Sequence, residues 1–335
     1  MTHTVKRSAL LTFTLVFLAA AAAESDAIRV QATPVPLSAD EPGQDRVGAL
    51  VYRGGVVLTS DDRRFGGLSG LHVSPDGSRL LAVSDLGGWL EARLDYDKRG
   101  FLTGVSDADM GLLVDPDGRP LADKSWQDAE SLTVLGDGSA LVGFERQHRL
   151  WKYRGAKLAA RPEIFPPPPG LERAPPNGGL EALAALKDGG LLALTEEMPA
   201  PNAMLRGFLW RDGKWSALSY RPIDAPRPSD ATVLPNGDVL VLERSYSPIL
   251  GLLLRLRRIA HASLVPGATL DPPVIAELKP PLSVDNLEGI SARQDAKGET
   301  LIYLISDDNF NRLQKTLLLM FALKPDGGPP VDGRP

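Results

Sequence analysis

One motif occurs five times along the chain, and that repetition constrains the fold more than any other feature. The first copy reads Gly67-Leu-Ser-Gly-Leu71, then Pro75-Asp-Gly77, then Leu80-Leu-Ala-Val-Ser-Asp85. The second has Asp128-Ala-Glu-Ser-Leu132, Gly136-Asp-Gly138 and Ala140-Leu-Val-Gly-Phe-Glu145, and the third Gly179-Leu-Glu-Ala-Leu183, Lys187-Asp-Gly-Gly190 and Leu191-Leu-Ala-Leu-Thr-Glu196. The fourth runs Pro228-Ser-Asp-Ala-Thr232, Pro235-Asn-Gly237 and Val239-Leu-Val-Leu-Glu243. The fifth runs Asn286-Leu-Glu-Gly-Ile290, Ala296-Lys-Gly298 and Leu301-Ile-Tyr-Leu-Ile-Ser-Asp307. Each copy is strand, turn, strand, because Asp-Gly and Asn-Gly pairs supply the positive φ of a tight hairpin. Copies begin 61, 51, 49 and 58 residues apart, the length of a four-stranded blade with variable loops.

Hairpins alone would also suit a β-sandwich, but a sandwich gives no reason to repeat one motif five times. The spacing therefore predicts an all-β chain, a β-propeller of six blades with five as the alternative. The run Val47 to Thr59 is expected to join C-terminal strands and close the ring. High Gly (33) and Pro (29) with 6% aromatics fit short strands and tight turns. Pro166-Pro-Pro-Pro169 excludes a central strand there and predicts a surface loop or rim across Arg161 to Pro176.

The ends read differently. Lys6 and Arg7 precede an apolar run from Ala9 to Ala23, 15 residues against about 20 for a membrane span. A basic start, a short apolar run and small residues predict a signal peptide over 1–23, with no stable membrane insertion after cleavage. Residues 24–45 are expected as a flexible lead-in, 46–323 as one propeller domain and 324–335 as a flexible tail. Export to the periplasm or beyond follows. The absence of cysteine excludes disulfides, thiolate ligands and a Cys nucleophile. A net charge of −5 offers no basic surface for nucleic acid, and a monomer acting on a small molecule is expected.

Aligning the copies exposes two acidic columns. Ser69, Glu130, Glu181, Asp230 and Glu288 open the units, and Asp85, Glu145, Glu196, Glu243 and Asp307 end the following strands. Nine of these ten are acids, although Asp and Glu make up only 42 of 335 residues, so turn chemistry does not account for them. A propeller brings equivalent positions onto one axis, where carboxylates repel unless a cation neutralises them. Calcium, which takes six to eight oxygens, suits this set better than zinc. The expected ligands are Glu181, Asp230, Glu288, Asp307 and Asp85, and Glu130, Glu181 and Glu288 are the catalytic candidates. Asn177, Asn286, Asp308 and Asn309 are further oxygen donors. Arg146, Arg244 and Lys315 are the candidates to hold an anionic substrate. The plainer alternatives are carboxylates that cap blade turns, and Glu145-Arg146 and Glu243-Arg244 as local ion pairs. The four histidines have no ligand-like spacing, and no nucleophile elbow, P-loop or dinucleotide fingerprint occurs.

Gly66-Gly-Leu-Ser-Gly-Leu71, Asn177-Gly-Gly-Leu-Glu-Ala-Leu183, Asp230 with Leu242-Glu-Arg244, Asp285-Asn-Leu-Glu-Gly-Ile290, and Ser306-Asp-Asp-Asn-Phe310 with Gln314-Lys-Thr316 form an ordered set. As a set they resemble the bacterial phytase-like domain family, described by an esterase-like activity of phytase, over about Phe65 to Leu323. The resemblance implies a propeller and phosphoester chemistry, calcium-supported as in alkaline propeller phytases. The chain lacks the Asp-Asp-Pro-Ala and Asn-Asn-x-Asp segments of those phytases, and Asp61-Asp62 is followed by Arg63-Arg64. The leading expectation is a metal-dependent hydrolase of phosphoesters or related esters. A lactonase-like propeller and a non-catalytic ligand- or partner-binding propeller of the envelope are the alternatives.

Overall fold

The computed structural model describes residues 25–324, apart from 122, 156–157 and 250. Among them the chain forms five sheets, antiparallel except where Thr269–Leu270 pairs parallel with Lys214–Tyr220, and each starts with the strand that opens a sequence repeat. These inner strands are Leu68–Val73, Ala129–Val134, Leu180–Ala185, Arg227–Val233 and Leu287–Gln294. Each packs beside the next, and the fifth packs beside the first, so the sheets form a closed ring of blades. The turn glycines Gly77, Gly138, Gly189, Gly237 and Gly298 all have φ between +74° and +93°, the conformation that selected glycine in every copy.

Closure uses both ends of the chain, as the sequence predicts. Leu50–Ser60 pairs antiparallel with Thr316–Leu323, placing Val56 opposite Leu318. Val30–Pro34 then covers the outer side of Leu50–Ser60. Such closure leaves no long open edge between first and last blades.

The blade count is five, not the six expected. Strands outside the five copies go to these five blades and build no further one. Leu50–Ser60 completes the fifth blade, and Val274–Leu278 is the outer strand of the fourth. The lead-in expected to be flexible is strand in part: Asp26–Ile28 pairs with Leu102–Leu112 on the first blade. Within the proline-rich stretch, Glu163–Phe165 is the outermost strand of the second blade, where proline neighbours break no ladder. The signal peptide expected over 1–23 lies outside the described residues, as does the tail beyond Lys324.

Apolar alternation puts one face of each blade against the next, giving five core clusters for five interfaces. Leu180, Leu183 and Ala193 of the third blade meet Leu141 and Leu150 of the second, all at most 2% exposed. Each fully buried leucine contributes roughly 1.5–3 kcal/mol. The blades are thus fixed relative to one another, and so are the side chains they direct at the axis.

Candidate functional site

Each inner strand breaks register once. In the second, third and fifth blades the extra residue is Glu130, Glu181 and Glu288, respectively. A bulge re-aims the inserted side chain and interrupts the ladder, which turns these three glutamates toward the axis. The residue two before each glutamate accepts, at its carbonyl, the amide of the acid ending the next strand. Glu145 N donates to Asp128 O, Glu196 N to Gly179 O and Asp307 N to Asn286 O, and Asp85 N donates likewise to Gly67 O.

The fourth blade is shifted by one residue, which corrects the columns read from sequence. Its bulge falls at Ser229, and Arg227 lies opposite Arg244. Ser229 therefore occupies the level of Glu130, Glu181 and Glu288, and Arg244 that of Asp85, Glu145, Glu196 and Asp307. Asp230, expected as a metal ligand, is fully buried and its oxygens accept backbone amides. These come from Ala231 at 2.8 Å and from Ile290 of the fifth blade at 2.7 Å, with Leu71 of the first also bonded. It ties three inner strands together. Glu243 also leaves the axis. It pairs with Arg257 at 3.0 Å and accepts from Tyr220 OH at 2.8 Å, both fully buried.

Among the described residues, Asp85, Asp128, Glu130, Glu145, Glu181, Glu196, Glu288 and Asp307 lie close enough around the axis to act on one another. Three cations face them. Lys124 Nζ lies 2.9 Å from Asp85 Oδ2 and 2.5 Å from Asp128 Oδ1. Arg146 Nε pairs with Asp128. Arg244 Nη2 is 3.1 Å from Glu288 Oε1 and 4.0 Å from Glu196. The neighbouring acids Glu145 and Glu243 are thus not the partners of these arginines. Ser69 Oγ and Asn286 Nδ2 donate to the two oxygens of Glu288, at 3.2 and 2.7 Å.

Burial, reinforced by the neighbouring acids, moves Asp85, Glu130, Glu145, Glu181, Glu196 and Asp307 toward protonation. Glu130 and Glu181 keep a little surface exposure but are strongly desolvated. Burial raises both well above the usual carboxyl range, helped by Glu288 and Asp128 around Glu130 and by Glu145 and Glu130 around Glu181. Glu145 and Glu181 share a hydrogen bond, which requires a proton on one of them. Burial, with Glu288 alongside, pushes Asp307 up to about 8. Glu196 is raised to about 7 by burial, although Arg244 pulls it down. Asp85 is raised by burial against the pull of Lys124, and its Oδ1 is buried without a partner.

The donor set fits a hard cation. Asp128, Glu130 and Glu145 each offer an oxygen, and these three lie within 4.8 Å of one another. Two calcium–oxygen bonds on opposite sides of an ion span roughly 4.6–5.2 Å. No cysteine exists, and Glu145 Oε1 also accepts from Gly179 N at 2.5 Å.

Of the residues expected from sequence, Glu130, Glu181, Glu288, Asp307, Asp85, Arg146 and Arg244 are brought together. Lys315 is exposed beside the site. Its amide donates to Asp285 at 2.9 Å and its carbonyl accepts from Ser306. Sequence reasoning missed Asp128, Lys124 and His148. Asp128 was within reach, since it precedes Glu130 by two residues as Asn286 precedes Glu288. Lys124 sits on the short helix Lys124–Gln127, outside every repeat. His148 packs its ring on Gly179 and bonds through Nε2 to Pro175 O at 3.0 Å, a contact made by the proline-rich stretch.

The family model for phytase-like proteins, described as esterase-like activity of phytase, matches residues 63–310. No curated protein matches the chain. Among solved structures it is similar to a protein of unknown function from Dyadobacter fermentans, at 14% identity over 90% of this chain and 94% of that one, with a TM-score of 0.46. It is also similar to virginiamycin B lyase from Staphylococcus aureus (11% identity, 83% and 85% covered, TM-score 0.38) and to a luciferin-regenerating enzyme (14%, 88% and 96%, 0.37). Identities and scores of this size carry no argument about activity. The family match spans most of the chain, including all five inner strands in full, and the chain belongs to the phytase-like family.

Proposed function

We propose that the chain is an exported hydrolase of phosphoesters or related esters that works with a divalent cation, calcium before others. The observation that carries this reading is the cluster of Asp128, Glu130 and Glu145 oxygens inside a ring with more acids than bases. Glu181, Glu288, Asp307 and Asp85 extend the oxygen donors around it. Asp230 drops out of the ligand set, because backbone amides occupy its oxygens.

Bound there, calcium would polarise the ester and lower the pKa of a nearby water. The chain's own residues do the rest. Glu130, set on a bulge beside the ion, would lose its proton in the cation's field and accept that of the attacking water. Arg244 is held by Glu288 and Glu196 with its guanidinium at the ring, where it attracts the anionic oxygen of the ester group. Lys124 and Arg146 hold the Asp128 carboxylate in its orientation. Interblade packing keeps these groups in place without further ordering on binding.

The test is hydrolysis of p-nitrophenyl phosphate, p-nitrophenyl acetate and a lactone by chelator-stripped protein, with and without added calcium. Calcium-dependent release from an ester, lost in Glu130→Gln, is the expected outcome. Equal turnover with chelator present overturns the metal, and no turnover on any substrate overturns the hydrolase. Lactone opening alone would favour the lactonase-like reading.

A further inference from the structure

Exposed apolar side chains follow three of the ring residues closely along the chain. Leu86, 38% exposed, directly follows Asp85. Tyr246, 71% exposed, lies two residues beyond Arg244 on Val239–Ser247, hence on the same face of that strand. Phe310, 42% exposed, follows Asp307 by three residues. Its ring packs over Gly66 and Gly67, and a Cβ built on Gly67 would fall 2.6 Å from the ring and 2.0 Å from Asp85 Oδ1. Phe310 thus borders a site carboxylate, and φ +59° at Gly67 with φ +50° at Phe310 marks a loop shaped for that contact. Solvent-facing aromatics of this size are ordinarily buried or used in recognition.

The cations point the same way. Lys124, Arg146 and Arg244 each pair with a carboxylate of the ring, so they form no free basic cluster for several phosphates. The site therefore suits a single ester group, rather than several phosphates, joined to an apolar or aromatic body.

We propose that Phe310 and Tyr246 determine specificity by holding the apolar or aromatic part of the substrate, and that the substrate is an aryl or similarly apolar monoester rather than a polyphosphorylated polyol. This inference rests on the active-site reading above, and its test separates the two. Calorimetry in calcium compares phenylphosphonate with methylphosphonate, so binding is read without turnover. The phenyl compound should bind about tenfold more tightly, the span of one good aromatic contact. Phe310→Ala, and more so with Tyr246→Ala, should bring the ratio close to one while methylphosphonate binding stays within about twofold. Ile164→Ala, on the outer edge of the second blade, should leave both unchanged. Where esters are turned over, kcat/KM for p-nitrophenyl phosphate over methyl phosphate should follow the same pattern.

Equal binding of the two phosphonates by wild type overturns the proposal even if esters are hydrolysed. A preserved phenyl preference without any ester turnover overturns the hydrolase and leaves the apolar site standing. Tighter binding of inositol hexakisphosphate than of phenylphosphonate overturns the substrate class. A ratio unchanged in the double variant overturns the assignment of these two residues.

Discussion

Replacing Arg244 with methionine probes the charge balance of the ring at its most asymmetric point. The guanidinium lies 3.1 Å from Glu288 and 4.0 Å from Glu196, with 27% of the side chain exposed. Methionine keeps much of the apolar stem and removes the charge, leaving two desolvated carboxylates uncompensated. Breaking a pair of this kind costs about 3–5 kcal/mol, and partial exposure places this one toward the lower end. The cost depends on pH. At pH 8 Glu196, at about 7, is mostly ionised, and both partners are lost together. At pH 5 Glu196 carries a proton in either protein, so only the charged hydrogen bond to Glu288 is forfeited, roughly 1.5–3 kcal/mol. Urea unfolding of calcium-free protein should therefore show a loss about 1.5 kcal/mol larger at pH 8 than at pH 5. A loss that is equal at both values, or larger at pH 5, would refute the reasoning. It would mean that Arg244 serves packing and not charge.

Calcium should raise the melting temperature by several degrees, since ligand at about 100 times its Kd adds roughly 2.7 kcal/mol. Glu181→Gln and Glu288→Gln should each lose most of that rise by calorimetry, and Asp117→Asn, in a surface turn, should keep it. Asp230→Asn should cost about 1–3 kcal/mol in urea unfolding, because one buried backbone amide loses its acceptor, while the calcium rise persists. Calcium-free wild type should become less stable as pH rises. Glu196 at about 7 and Asp307 at about 8 have folded-state values above the unfolded ones, so the folded state holds more protons between about pH 4 and 8, and the stability these two contribute is lost as pH rises through that window. Stability that rises over that window would contradict the excess of acid at the axis. Protein from the native host should begin near Glu24 by mass spectrometry, and intact Met1 in the membrane fraction would establish an anchor instead.

The fold was legible because a fivefold motif has few architectures that explain it, and because the turn glycines name their own φ. The blade count was not, since a strand donated from residues 50–60 to the last blade looks, in sequence, like the start of another. The site was legible in four blades, where a glutamate or serine and a strand-ending acid align by simple counting. It failed in the fourth, where Asp230 and Glu243 are acids one residue away from the true positions, Ser229 and Arg244. Only the strand register, Arg227 opposite Arg244, distinguishes them. Ser69 already showed that a hydroxyl can stand at this level. Lys124 and His148 were illegible for another reason: a short helix and a packed glycine bring them to the ring, and neither has a period.

The central claim is that the acidic end of the axis binds a divalent cation, and anomalous diffraction from crystals grown in calcium tests it most directly. One difference peak among the oxygens of Asp128, Glu130 and Glu145, at about 2.3–2.6 Å from each, is the expected result. A well-ordered ring with no peak at millimolar calcium, its carboxyls close enough to share protons, would contradict the account.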